Sequence, residues 1–161
     1  MLALRRLLRR GAVIEQHAPK RELVTWLYEQ KARQGGPNLF ADPLRREFML
    51  EAVQLACSRC EIFTLEMEGT TLAALVTFRD GECRRFYTTY FDDRWAKSSP
   101  GFALLCEVSQ RTLAENLAYD FMTGEQEYKR RLASELIPLY IIPAQQITWG
   151  SAKRAESLTA A

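Results

Sequence analysis

The sequence is poor in the residues that build metal centres and covalent nucleophiles. Its 161 residues include one histidine, His17, and four cysteines, Cys57, Cys60, Cys83 and Cys106. Cys57 and Cys60 form one C-x-x-C, which taken alone is half a zinc site or a redox pair. No second C-x-x-C completes it, and His17 is far away in sequence. The pair also ends an apolar-periodic helix, where cysteine packs as a small hydrophobe, so packing is the favoured reading and no metal is expected. Nothing points to a cysteine nucleophile either, since no cysteine has an evident basic partner.

Long apolar runs are missing as well. None approaches the roughly 20 residues that span a bilayer. Arg9, Arg10 and Glu15 interrupt what would be a signal-peptide core, and the paired arginines do not make a convincing export signal. A cytoplasmic location without stable membrane insertion is the expectation. A strong charge bias is also lacking: the formal net charge of +2 gives no argument for nucleic acid. The charge is uneven, with Arg5, Arg6, Arg9 and Arg10 interleaved with Leu2, Leu4, Leu7 and Leu8. That pattern fits a basic amphipathic helix touching a membrane surface or an anionic partner; the plainer reading is a solvated helix end or the remnant of a longer chain.

What remains is ordinary globular material, 47% hydrophobic and 26% charged, enough for one domain with a buried core. Residues 1–18 read as a basic N-terminal segment, 19–143 as the domain and 144–161 as a tail. A helical pattern runs from Pro19 to Arg33, with Leu23, Trp26, Leu27 and Gln30 on one face, and stops at Gly35-Gly36-Pro37. Asp42 as N-cap and Pro43 start a second helix, whose apolar face is read as Leu44, Phe48, Val53, Leu55, Ala56 and Cys60. Three strands in an antiparallel meander follow, Ile62–Met67, Leu72–Phe78 and Cys83–Phe91, joined at Glu68-Gly69 and Asp80-Gly81. Ser99 then caps a helix ending near Asn116. Leu117–Phe121 reads as a short strand, Thr123 with Gln126 as a capping box for the next helix, and Leu136–Ile142 as a last strand.

The joints carry the chemistry. The start of the Ser99–Asn116 helix offers free backbone amides around Gly101, Phe102, Ala103 and Leu104, suited to an anion such as phosphate. Gly101 lets the backbone approach closely. The strand just upstream, with Tyr87 and Thr88 near its middle, offers an edge for an extended amide-bearing arm. Downstream, Asp120 stands at a strand end, with Tyr128 and Lys129 beyond a break at Gly124. A carboxylate able to bind an ammonium or take its proton, and a phenol able to protonate a leaving sulfur, suit N-acyl transfer. Taken singly, Asp120 as a backbone acceptor, Tyr128 as a packing ring and Lys129 as a solvated charge are equally good readings.

The run Tyr119-Asp120-Phe121, Gly124 and Tyr128-Lys129-Arg130-Arg131 resembles the Asp-Phe…Gly…Tyr-Lys signature of a branch of the GNAT superfamily of acyl-CoA N-acyltransferases. This is the CelD-like or FemAB-like branch linked to cellulose and exopolysaccharide biosynthesis. Phe91-Asp92-Asp93-Arg94-Trp95 leading into Ser99-Pro100-Gly101-Phe102, and Phe40-Ala41-Asp42-Pro43, resemble its other joints. The resemblance implies an α+β, GNAT-like fold with a mixed, mostly antiparallel central sheet flanked by helices. It implies acetyl-CoA or another acyl-CoA as co-substrate, with Asp120, Tyr128 and Lys129 at the acyl-transfer site. Tyr87, Thr88, Ser99, Gly101, Phe102, Ala103 and Leu104 would lie along the CoA. An amino sugar or other small amine would be the acceptor. Met122-Thr123, Leu132 and Ser98 depart from the branch pattern. The branch carries two lobes where this chain has room for one, which implies a homodimer, a partner lobe or a fragment. An aminoacyl-tRNA donor calls for a sizeable basic surface, against which +2 argues; a non-catalytic binding module in polysaccharide assembly is the remaining alternative.

Overall fold

A computed structural model describes residues 2–34, 39–124 and 126–138. The chain divides into two compact units, residues 1–124 and 125–161.

The first unit is an α+β layer structure around a five-stranded sheet in the order β1-β2-β3-β4-β5. Its elements run α1 (Leu2–Arg9), β1 (Val13–His17), α2 (Arg21–Arg33), α3 (Pro43–Leu55), β2 (Cys60–Met67), β3 (Thr70–Asp80), β4 (Cys83–Phe91), α4 (Pro100–Ala114) and β5 (Ala118–Asp120). Short 3-10 turns at Leu39–Ala41 and Asp93–Ser98 precede α3 and α4.

The meander forms where the turn residues demand it. Glu68 at φ 51° and Gly69 at φ 73° make the two-residue turn between Met67 and Thr70, which pair directly. The run Leu72–Thr77 is buried throughout, as a central strand covered on both faces requires. Ile62, Ala74 and Val76 join Val24, Leu27, Tyr28, Leu50 and Val53 in the core beneath α2 and α3. Phe63, Leu65, Ala73 and Leu75 are also buried and alternate with them, so they fill the opposite face, where α4 packs on β3. Cys60 lies in the α2–α3 core, and burial pushes its thiol up to about 12; it packs as a protonated hydrophobe.

Three expectations change. Residues 1–18, read as a basic segment ahead of the domain, contribute to the sheet layer. β1 pairs antiparallel with β2 from Val13↔Glu66 to His17↔Ile62, and α1 buries Leu4 and Leu7 on the α4 side. Five alternating residues after an Arg-rich helix are too short a pattern to announce an edge strand. On α3 the Asp42 cap forms, with its carboxylate accepting from Leu44 N at 2.9 Å, but the core face is Leu50 and Val53. Leu44, Phe48 and Leu55 stand on the opposite side, 83%, 69% and 87% exposed. Finally, Leu136–Pro138 are not strand, and the rest of that expected strand and the 144–161 tail lie outside the described residues.

The second unit is described through α5 (Glu127–Leu132). It starts at Glu127, and Gln126 caps it without a side-chain hydrogen bond, so the expected Thr123–Gln126 capping box does not form. Among the described residues no helix is long and apolar enough to cross a membrane.

Candidate active site

β4 and β5 run parallel but share only the rungs Cys83↔Ala118, Arg84↔Tyr119 and Arg85↔Asp120. Beyond that point β4 continues from Phe86 to Phe91 paired to β3 alone, so its other edge is open among the described residues. Its register slips here. Thr77 faces Phe86 while Val76 faces Thr88, which leaves Tyr87 as the extra residue of a bulge. Tyr87 turns its ring toward α3, where its hydroxyl contacts the Met49 sulfur, and stacks edge-on against Phe78. Burial pushes its phenol up. Thr88 is buried on the strand beside it.

The open edge leads to α4. Ser99 is the N-cap residue, but its φ of 46° and ψ of 53° place it in the left-handed region and its side chain makes no cap bond. A capping hydroxyl reaches the first-turn amides from extended backbone. Ser99 instead closes the preceding 3-10 turn through its own amide, bonded to Ala96 O at 2.9 Å. The expected cap is therefore absent. Ala103 N donates to Ser99 O at 3.0 Å, while the amides of Gly101 and Phe102 have no hydrogen-bond partner among the described residues. Ala103 and Leu104 turn their side chains into the core, and Phe102 is 39% exposed. Gly101 sits so close to β4 that an added Cβ would lie 3.3 Å from Phe91 Cδ1. Close approach of helix to strand thus sets two free donors of a helix N-terminus beside the open strand edge.

Asp120, expected as a catalytic carboxylate, stands at the last β4–β5 rung. Oδ2 accepts from Arg85 Nη1 at 2.7 Å and Oδ1 accepts from Met122 N at 2.7 Å. Tyr128 and Lys129 lie on α5 of the second unit, at neighbouring positions. Tyr128 is half-buried, and burial holds its phenol in the protonated form above the usual range.

Two features carry no sequence signal strong enough to find them. A shallow cleft is lined by Gln30, Arg33 and Gln34 from the end of α2 and by Tyr90, Phe91 and Asp93 from the end of β4. Gln34 Nε2 reaches Phe91 O at 3.1 Å, and Tyr90 packs edge-on against Trp26. Below the cleft, buried Asp92 accepts from Arg94 Nη2 at 2.6 Å, and that guanidinium holds its carboxyl below the usual 3.8. The second feature is Arg84, only 1% exposed, which donates to Glu61 at 2.8 Å, Thr112 at 2.6 Å and Glu115 at 3.2 Å. It ties β4 to β2 and to the far end of α4. Among the described residues no group of three or more His, Cys, Asp or Glu side chains is placed to hold a metal ion.

Comparison with known proteins agrees with this geometry. A family model described as acetyltransferase (GNAT) domain matches residues 2–130. No curated protein matches the chain. Among solved structures, the chain is similar to a GCN5-related N-acetyltransferase from Ralstonia eutropha, at 17% identity and TM-score 0.59, covering 83% of this chain and 99% of that one. It is similar to the aminoglycoside acetyltransferase meta-AAC0020 from an uncultured soil metagenomic sample, solved with sisomicin, at 12% identity and TM-score 0.55, covering 82% and 95%. It is also similar to a ribosomal-protein-alanine N-acetyltransferase from Brucella melitensis, at 11% identity and TM-score 0.56, covering 82% and 98%. At these identities the solved structures speak for the fold.

Proposed function

The chain belongs to the GNAT acetyltransferase domain family, and from that premise we propose that it transfers an acetyl group from acetyl-CoA directly to the amine of an amino sugar or another small hydroxylated amine. One observation carries the reading: the open edge of β4 runs into the unpartnered amides of Gly101 and Phe102. The pyrophosphate of CoA needs donors of that kind, and the positive end of α4 adds a favourable field. The backbone groups of Tyr87 and Thr88 suit the amides of the pantetheine arm. The missing Ser99 cap supports the same reading, because a capped helix would have used one of those donors itself. The polar cleft of Gln30, Gln34 and Asp93 favours an acceptor carrying hydroxyls as well as an ammonium.

In the reaction the neutral amine nitrogen attacks the thioester carbonyl carbon. The new C–N bond forms, the C–S bond breaks, the amine proton leaves to a base or to water, and the departing thiolate takes a proton. Tyr128 is proposed as that proton donor, and Lys129 as a cation that steadies the acceptor. Both assignments rest on the Tyr128-Lys129 sequence pattern, with the protonated state of the Tyr128 phenol in favour of the first. The finer placement in the CelD-like or FemAB-like branch rests on the same pattern. The test is thiol release from acetyl-CoA against a panel of amino sugars, aminoglycosides and peptide N-terminal amines. Amine-dependent release, reduced by a factor of about 100 in Tyr128→Phe, is the expected result. Release that no amine accelerates would contradict the proposal.

A further inference from the structure

Asp120, Arg85 and Asp80 form a chain of charges at the point where β4 and β5 part. Arg85 donates from Nε and Nη2 to Asp80 Oδ2 at 3.1 Å and 3.0 Å, and from Nη1 to Asp120 Oδ2 at 2.7 Å. Asp80 belongs to the β3–β4 hairpin, paired with Cys83, whereas Asp120 ends β5 opposite Arg85 itself. One guanidinium therefore clamps the end of β5 to the hairpin. Its planar fork suits two carboxylates in fixed directions, which a lysine would not reproduce.

The other oxygen of Asp120 does a second job. Oδ1 accepts from Met122 N at 2.7 Å, an Asx turn that holds Met122 at φ 58°. A methionine pays a steric penalty in that left-handed region, so the bond offsets a real cost. The turn carries the chain away from β4 immediately after the last shared rung. The same carboxylate thus fastens the final rung and diverts the strand beyond it.

We propose that Asp120, acting through Arg85, is a positioning residue that fixes where the cleft between β4 and β5 begins, and so sets how far the arm of the donor reaches along β4. This rests on the acyl-CoA reading of the same cleft. It also differs from the role expected from sequence: the carboxylate acts through the strand gap and not as the base that takes the amine proton. If the clamp loosens, β5 can pair further along β4 or fray from it. Either change moves the apex against which the thioester must stop.

The test compares wild type, Asp120→Asn, Arg85→Gln and the double variant. Asp42→Ala, which removes the α3 cap far from the cleft, controls for general loss of stability. Acetyl-CoA affinity by calorimetry and amide exchange over Ala118–Met122 are read in parallel. Both single variants should weaken acetyl-CoA binding on the order of tenfold. The double variant should go no further, because the two side chains act as one unit. Exchange over Ala118–Met122 should quicken in all three, and Asp42→Ala should bind as wild type. Singles that bind within about twofold of wild type, or a double whose losses multiply, would overturn the clamp. So would loss of turnover in Asp120→Asn by a factor of about 100 or more at unchanged affinity, which is the mark of a general base. If wild type itself does not bind acetyl-CoA, the acyl-CoA reading fails on its own account. Amide exchange still decides the clamp in that case: unchanged exchange in Asp120→Asn and Arg85→Gln overturns it.

Discussion

At Gly101, Arg84 and Asp92 single atoms decide what the neighbouring elements can do. An alanine at 101 would press its Cβ to within 3.3 Å of the Phe91 ring, so Phe91 or the start of α4 must shift by a few tenths of an ångström. Gly101→Ala should cost about 1 kcal/mol in a denaturant titration, the lower end of overpacking effects. Arg84 is the costlier loss. Its guanidinium is shared by Glu61, Thr112 and Glu115, and removing it strands the part-buried Glu61 beside the Phe63 ring. Arg84→Ala should lower stability by about 3 kcal/mol by the same measurement. Asp92 gives a pH signature. Its carboxyl titrates below 3.8 when folded, mainly through the Arg94 hydrogen bond, so its stabilising contribution is present above the unfolded value and is lost as pH falls through the folded one. Asp92→Asn should therefore be less stable than wild type at pH 7, with the gap narrowing in urea titrations at pH values below 3.8. An unchanged gap would refute the pairing.

Among the elements, those with strong local chemistry were legible and those made by distant pairing were not. Glu68-Gly69 and Asp80-Gly81 announce their hairpins because left-handed or permissive residues must stand there, and β2, β3 and β4 follow in place. The Asp42-Pro43 start of α3 is legible for the same reason. β1 was not, because nothing local makes Val13–His17 a strand; the unpaired side of β2 does. The α4 start is the instructive case. Ser99-Pro100-Gly101 marks a helix entry correctly, yet the cap expected of Ser99 fails because the same residue must also close the Asp93–Ser98 turn. On α3, periodicity showed an apolar stripe but not which stripe faces inward. Since Leu44, Phe48 and Leu55 face solvent, replacing each by serine should change stability by less than about 0.5 kcal/mol, whereas Val53→Ala should cost about 2 kcal/mol. Thermal unfolding of the two sets checks this, and equal losses would mean that α3 is rotated.

For the molecule as a whole, membership in the GNAT acetyltransferase family fixes a reaction type, while the acceptor is decided by surfaces the family shares least. The solved relatives make the point, since an aminoglycoside acetyltransferase and a ribosomal-protein-alanine N-acetyltransferase resemble this chain about equally in fold. The central claim is that the free amides at the start of α4, beside the open edge of β4, hold the phosphates of acetyl-CoA. Phe102→Glu tests it most directly, because its two effects point in opposite directions. A carboxylate in the first turn of α4 favours the helix, so the folded protein should melt at the wild-type temperature or slightly above. The same charge repels phosphate. Calorimetric titration with acetyl-CoA should then show binding by wild type and at least about tenfold weaker binding by Phe102→Glu, whose fold is intact. Equal binding by the two proteins would contradict the account.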